Sequence, residues 1–442
     1  MASIAQKRLF GWEQVEEVGD LKRLGLLLEH IPDEALMQVL EAERGRGRDE
    51  YPVRPMWNAL LAGVVFQHPT VESLLREMRR NGQLRQVCGF EVEKGLGAVP
   101  PSWAFSRFVA RVLDHLQSVQ GMFEVLVEQV AEVLPGYGEG LAVDGKGIAS
   151  WAAGVREGET KKQKPGRRRE TDAAWGVHEY SGIKEDGTAW TTVKRWFGYT
   201  LHLVVATGSE LPVAFSVTKA NASEVVEAHK LVERIGQEHP KIAERCQRFI
   251  GDRSYDDTKL LQKVWEEWEA LPIIEIRNCW KDGEKSRIVE GMENVIYDYR
   301  GTVSCVCPKT GTEREMAYGG FERDRETLKY RCPAEHYGYA CAGRQSCPIG
   351  KAVRVPRAEE PRIFTPLPRP TMKWDRLYNE RTAVERVNSR LDVSFGFENH
   401  TIRGLKKMRT RCALALTVML AMAVGRIKAD HAEAMRSLIK TA

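Results

Sequence analysis

The sequence predicts an α/β protein: a mixed-sheet core behind an all-α N-terminal region, interrupted late by a β-rich, cysteine-containing insertion. Three observations carry this. Residues 1–135 show amphipathic runs of helical period with no strand-like alternation. From Leu141 the pattern changes to short apolar runs with helical segments between and after them. Residues 277–370 are rich in Gly, Pro, Arg and Cys and hold short strand-like pieces. At 442 residues and 43% hydrophobic content the chain can bury two or three cores. The expected partition is 1–135, a core in two parts at 136–276 and 371–430, the insertion at 277–370, and a tail at 431–442.

Taken in order, helices are expected over Leu21–His30, Asp33–Ala42, Met56–Gln67, Val71–Arg80 and Ser102–Val133, the fourth started by Pro69-Thr-Val-Glu. Strands are expected at Leu141–Val143, Trp196–Ala206, Pro212–Val217, Arg248–Gly251 and Leu271–Ile276, with helices at Ser223–Gln237 and Asp257–Glu269. Within the insertion, Asn294–Tyr299 and Leu328–Tyr330 read as strands. Trp374–Phe395 has helical periodicity and neither Pro nor Gly. The apolar run Cys412–Val424 is 13 residues, too short to span a bilayer, and reads as a buried closing helix. The N-terminus lacks the apolar stretch of a secretory signal, which predicts a cytoplasmic protein without a membrane role. Nine cysteines, an odd number, argue for reduced thiols or metal ligands over a secreted disulfide framework.

Three carboxylates stand in suggestive places. Asp144 and Asp252 each end a short apolar run that reads as a buried strand, and Glu385 lies on the expected helix, on one face with Tyr378 and Arg381 at spacings of three and four. Hard divalent cations such as Mg²⁺ or Mn²⁺ take carboxylate and phosphate oxygens, and two such ions activate a nucleophile and stabilise the leaving oxygen in phosphodiester chemistry. Each residue alone equally fits a plainer role. An Asp after a strand caps a turn, and Arg381–Glu385 is a surface ion pair. No phosphate-cradling Gly-x4-Gly-Lys-Ser/Thr and no His-Glu-x-x-His is present, so nucleotide hydrolysis and zinc-dependent hydrolysis are not expected.

In combination these stretches resemble a bacterial insertion-sequence DDE transposase of the group whose third motif reads Tyr-x2-Arg-x3-Glu-x6-Lys. Tyr378, Arg381 and Glu385 fill its first three positions. Asp252-Arg-Ser-Tyr-Asp256 is similar to the second motif, with Ser254 where Gly is usual, and Asp144-Gly145 to the first. Gly198–Val205, Leu211-Pro-Val and Thr218-Lys-Ala-Asn221 resemble the central strands and following turn. The resemblance implies a ribonuclease H-like core with Asp144, Asp252 and Glu385 as a catalytic triad binding Mg²⁺ or Mn²⁺. It also implies binding to terminal inverted repeats, cleavage of DNA ends and strand transfer into target DNA, by a homodimer holding two ends. The fourth motif position falls on Asp392 instead of Lys, so Lys406, Lys407 or Arg390 is left to supply that DNA contact. Asp392 and Ser254 also support a second reading, a decayed or domesticated transposase that binds DNA without cutting it.

Net charge is only +5, but local clusters are basic: Lys161, Lys162, Lys164 and Arg167–Arg169 after Asp144, and 12 Lys/Arg against 5 Asp/Glu over residues 361–411. The expected DNA contacts are Tyr378, Arg381, Arg253, Lys406, Lys407, Lys161, Lys162, Arg167 and Arg168, with the helical N-terminal region also reading DNA. Trp374 is an additional candidate for base stacking. Cys305, Cys307, Cys332, Cys341 and Cys347 crowd into 43 residues, a density that suggests structural zinc, although the spacing lacks paired Cys-x2-Cys knuckles. Cys88, Cys246, Cys279 and Cys412 read as small apolar residues.

Overall fold

The computed structural model describes residues 19–45, 50–152, 170–183, 186 and 188–438. The basic run containing Lys161, Lys162, Arg167 and Arg168 lies outside them.

The N-terminal region is helical as expected: α1 (Lys22–His30), α2 (Glu34–Arg44), α3 (Val53–Val65), α4 (Val71–Arg80), α5 (Gly82–Cys88), α6 (Ser102–Asp114) and α7 (Leu116–Val133). Thr70 starts α4 through a reciprocal cap with Ser73, its hydroxyl accepting the Ser73 N–H at 3.1 Å. The run expected as one helix over Ser102–Val133 breaks at His115 into α6 and α7. Asp33 fixes the α1–α2 turn to α3 by accepting from Trp57 Nε1 at 2.6 Å and Arg54 at 2.5 Å.

The central sheet is built from β1 (Gly140–Ala149), β2 (Ala174–Ile183), β3 (Ala189–Ala206), β4 (Leu211–Lys219), β5 (Arg248–Gly251) and β6 (Leu271–Ile274). β1 runs antiparallel to β3 and parallel to β5, which is parallel to β6. β3 is long enough to serve twice. Its second half lies between β1 and β4, and its exposed first half pairs with β2, a strand that the sequence did not signal. Helices α8 (Glu224–Glu238), α9 (Pro240–Arg245) and α10 (Thr258–Glu267) occupy the connections. Three antiparallel strands followed by two parallel ones, with helical crossovers, is the ribonuclease H-like arrangement. β1 continues five residues beyond Asp144, so that carboxylate sits within the strand and not at its end.

The insertion forms a four-stranded sheet, β7 (Arg287–Ile288), β8 (Val295–Tyr297), β9 (Val303–Val306) and β10 (Glu313–Glu315), and a three-stranded one, β11 (Ala317–Glu322), β12 (Thr327–Arg331) and β13 (Ala352–Pro356), with α11 (Pro333–Tyr337) following β12. It has its own core around Val295, Val303, Leu328, Val355 and Phe364. Arg369, 1% exposed, ties the returning chain to the main sheet by donating to the carbonyls of Ile274, Arg362 and Ile363.

Then come α12 (Met372–Tyr378), a 3₁₀ turn at Asn379–Arg381, α13 (Thr382–Phe395) and α14 (Leu405–Lys428). The single helix expected over Trp374–Phe395 is therefore interrupted by a tighter turn. Trp374 is 1% exposed and stacked on Tyr378 at 4.7 Å, so it fills the core and is not placed to stack on a DNA base. Although α14 is long and apolar enough to cross a membrane, 89% of its apolar window is buried, against α7, α1 and β4. One continuous apolar core joins the N-terminal helices, the sheet and α14.

Candidate active site

Each of the three carboxylates is positioned by a different local device. Asp144 is carried by β1 opposite Leu203 of β3 and accepts the Gly145 N–H at 2.9 Å. Asp252 follows β5 and caps the 3₁₀ turn Arg253–Tyr255, accepting the Ser254 N–H at 2.7 Å. Ser254 is not among the residues with positive φ, so nothing in this turn demands the glycine that stands there in the resembling motif. Glu385 lies in the first turn of α13. The 3₁₀ turn before it is pinned by Glu380, which accepts from Arg248 at 2.8 Å and Thr207 at 2.9 Å.

Arg381 joins two of the carboxylates. Its guanidinium lies 2.5 Å from Glu385 Oε1 and 3.8 Å from Asp144 Oδ2. Asp144 is one-fifth exposed and Glu385 half exposed, so the group is buried at one end and open at the other. Burial, then the charge of Asp252, pushes the Asp144 carboxyl up to about 7, against the pull of Arg381. Such an excess of carboxylate oxygen with too little positive charge suits a hard divalent cation.

Two residues at the centre had no signal in the sequence. Glu224 opens α8, where an acid reads only as a complement to the helix dipole. Its side chain lies between both aspartate segments: a Cβ on Gly145 would fall 2.6 Å from Glu224 Oε1, and the nearby Ser254 hydroxyl favours the charged form of its carboxylate. His178 reaches Glu224 Oε1 at 3.5 Å from β2. Tyr255, 1% exposed, feels the charges of Asp144, Glu224 and Asp252, and its hydroxyl has no hydrogen-bond partner among the described residues.

Tyr378 lies at the Arg381 end of the site, its ring 5.9 Å from the guanidinium, and Arg253 is exposed. The other expected DNA contacts fare unevenly. Lys406 pairs with Asp114 at 2.7 Å, and Arg390 is held by Glu210, so neither is left over. Much of the basic excess over residues 361–411 serves the fold: Arg362 bonds Asp256, Arg409 the Val217 carbonyl and Arg411 the carbonyls of Phe395 and Gly396. Lys373, Arg376, Arg403 and Lys407 are exposed. The position expected to carry Lys, Asp392, accepts Lys146 of β1 at 2.6 Å.

The five insertion cysteines line one cavity of about 480 Å³, with Cys307 and Cys341 sulfurs 3.9 Å apart. Cys88, Cys246 and Cys412 are buried as expected, whereas Cys279 is exposed and accepts from Arg362 at 3.2 Å. Among the described residues, only Glu124, Glu238 and His239 bring three ligand atoms within 4.8 Å of one another. Both nitrogens of His239 are already engaged by Glu124 and Glu128, which leaves no lone pair for a metal.

A family model described as the transposase DDE domain matches residues 160–421, and one described as a transposase domain (DUF772) matches residues 13–111. The chain belongs to the DDE transposases. No curated protein matches it. This transposase is thus a DNA-cutting, strand-transferring enzyme of a family that works with divalent metal on a ribonuclease H-like core. The DDE match contains Asp252 and Glu385 and begins after Asp144, so the assignment of Asp144 rests on geometry.

Proposed function

We propose that Asp144, Asp252 and Glu385 are the catalytic carboxylates, and that the transposase uses them to cleave the ends of its element at terminal inverted repeats and join them to target DNA. The observation that carries this reading is Arg381, which lies between Asp144 and Glu385 and is within 4 Å of both. Residues separated by hundreds of positions otherwise have no reason to share one guanidinium.

Asp144, Asp252 and Glu385 would hold Mg²⁺ or Mn²⁺, which when bound as a pair would supply activation of the attacking oxygen and neutralisation of charge on the phosphodiester. A water oxygen attacks phosphorus, the bond to the 3′ oxygen breaks, and a free 3′-hydroxyl remains. That hydroxyl then attacks a target phosphodiester in the same way. Arg381 orients Glu385 and Asp144, Tyr378 and Arg253 contact the DNA backbone near the carboxylates, and the exposed Lys407 contacts it farther along. The basic run of Lys161, Lys162, Arg167 and Arg168 contributes further phosphate contacts, Lys406 contributes one by exchanging Asp114 for a phosphate, and the N-terminal helices read the repeat.

The acting form is a homodimer holding two ends, in the cytoplasm on the nucleoid. Four of the five insertion cysteines would close one tetrahedral zinc site, and the 3.9 Å between the Cys307 and Cys341 sulfurs matches the ~3.8 Å edge of such a site. The reading as a decayed DNA-binding protein loses its main supports, because Ser254 keeps the Asp252 cap and Asp392 has a cation of its own.

The test is Mg²⁺-dependent cleavage of a labelled duplex carrying the element's own terminal repeats. Asp144→Ala, Asp252→Ala and Glu385→Ala should each abolish cleavage and leave repeat binding within a few-fold. Wild-type cleavage by any one of them would remove that residue from the triad.

A further inference from the structure

Glu224 is unexplained by the three-carboxylate reading, yet it lies against both aspartate segments. Its Oε1 lies 2.6 Å from where a Cβ on residue 145 would stand, so a side chain after Asp144 would push the glutamate out of this position. The Ser254 hydroxyl, two residues from Asp252, lies near the same carboxylate and favours its charged form. On the other side, His178 approaches at 3.5 Å with its ring edge-on to Trp196, 5.0 Å between centroids, so the imidazole is held in place. The glutamate is one-fifth exposed, as Asp144 is. A nearby buried hydroxyl, that of Tyr255, has no partner.

A third acid at the buried end of a site already crowded with negative charge is costly unless something positive is shared. Arg381 serves the Asp144–Glu385 side, and neither Asp252 nor Glu224 is ion-paired to it. Among the described residues the group ion-paired with Glu224 is His178, at a separation longer than a good hydrogen bond. We propose that Glu224 is a fourth metal-ligating carboxylate beside Asp144 and Asp252, the ion drawing together oxygens that do not lie within 4.8 Å of one another as a trio without it, and that His178 is a positioning residue that fixes its orientation. The proposal rests on the reading of Asp144 and Asp252 as ligands. It makes the centre a four-carboxylate one, with Glu224 delivered by the first helix after the antiparallel strands.

The probe is Mn²⁺, titrated calorimetrically into the full-length protein without DNA, for the wild type, Asp144→Asn, Glu224→Gln, Glu224→Asp and His178→Asn. Thermal melting of each variant without metal checks the fold. Glu224→Gln keeps shape and removes charge, and should bind Mn²⁺ at least tenfold more weakly or lose one ion per chain. Glu224→Asp should recover part of the loss, and His178→Asn should weaken binding less than Glu224→Gln does. If Glu224→Gln binds as the wild type while Asp144→Asn is impaired, the fourth ligand is refuted and the aspartate centre stands. If Asp144→Asn also binds as the wild type, the metal centre itself is misplaced.

Discussion

Lys146 and Asp392 form an ion pair across the catalytic face, Nζ to Oδ2 at 2.6 Å, two residues beyond Asp144 on β1 and seven beyond Glu385 on α13. The pair is mostly buried, with Lys146 14% and Asp392 28% exposed, and Asp392 Oδ1 has no partner among the described residues. The resembling third motif carries a lysine on the helix. Here the cation stands on the strand and the helix supplies its counter-charge.

Converting Asp392 to Lys should therefore damage this transposase and not repair it. It would set two ammonium groups side by side, and Lys146→Asp would set two carboxylates side by side, each costing about 1–3 kcal/mol. The charge-swapped double variant, Lys146→Asp with Asp392→Lys, should recover most of that. Urea unfolding of the four proteins measures the coupling. An Asp392→Lys protein as stable as the wild type and faster at end cleavage would show that the pair has no structural role.

Arg381 makes a second prediction. A planar guanidinium can face two carboxylates at once, and a lysine ammonium on a flexible stem cannot reproduce that fork. Arg381→Lys should keep the fold, since the turn is held by Glu380, yet reduce end cleavage at least tenfold. Cleavage rates with Mg²⁺ in excess, alongside the melting temperature, separate the two effects. Retention of the wild-type rate would make the contact an ordinary exposed ion pair.

How much of this was legible beforehand follows from what each signal depends on. Periodicity located the helices and most strands, because a face buried against the core leaves its mark on local order, as in α4 and α8. β2 was missed because its partner is the exposed half of β3, where no face is buried deeply enough to impose alternation. The break at Asn379–Arg381 was missed because Glu380 stabilises it through Arg248 and Thr207, both remote in sequence. The triad was visible only through the resemblance. Glu224 was not visible at all, since an acid in a first helical turn is common and its neighbours arrive from β1, β2 and the segment after β5.

The cysteine cavity yields a third prediction. If one zinc ion holds the insertion, the purified protein should carry about one equivalent by elemental analysis, and Cys332→Ser with Cys341→Ser should release it. Because the insertion has its own small core, loss of the ion should lower protection of β8–β9 and β12–β13 from hydrogen exchange and leave the central sheet unchanged. Metal-free wild-type protein with unaltered exchange would reduce the cluster to ordinary thiols.

The last prediction concerns pH. His239, 2% exposed after the end of α8, is held by Glu124 and Glu128 of α7, with ring nitrogens 2.6 and 2.5 Å from their oxygens. Burial alone would lower its pKa, but the hydrogen bonds and charges of the two glutamates outweigh this and raise it above the usual 6.5. Folding thus favours the protonated ring. The stabilisation is fully present below pH 6.5 and is lost as pH rises through the folded value. Wild-type protein should therefore lose melting temperature between pH 6.5 and 9 more steeply than His239→Gln, which has no such proton to lose. Since the clamp joins the N-terminal helices to the helical layer over the sheet, parallel pH profiles for the two proteins would mean that this junction depends on packing alone.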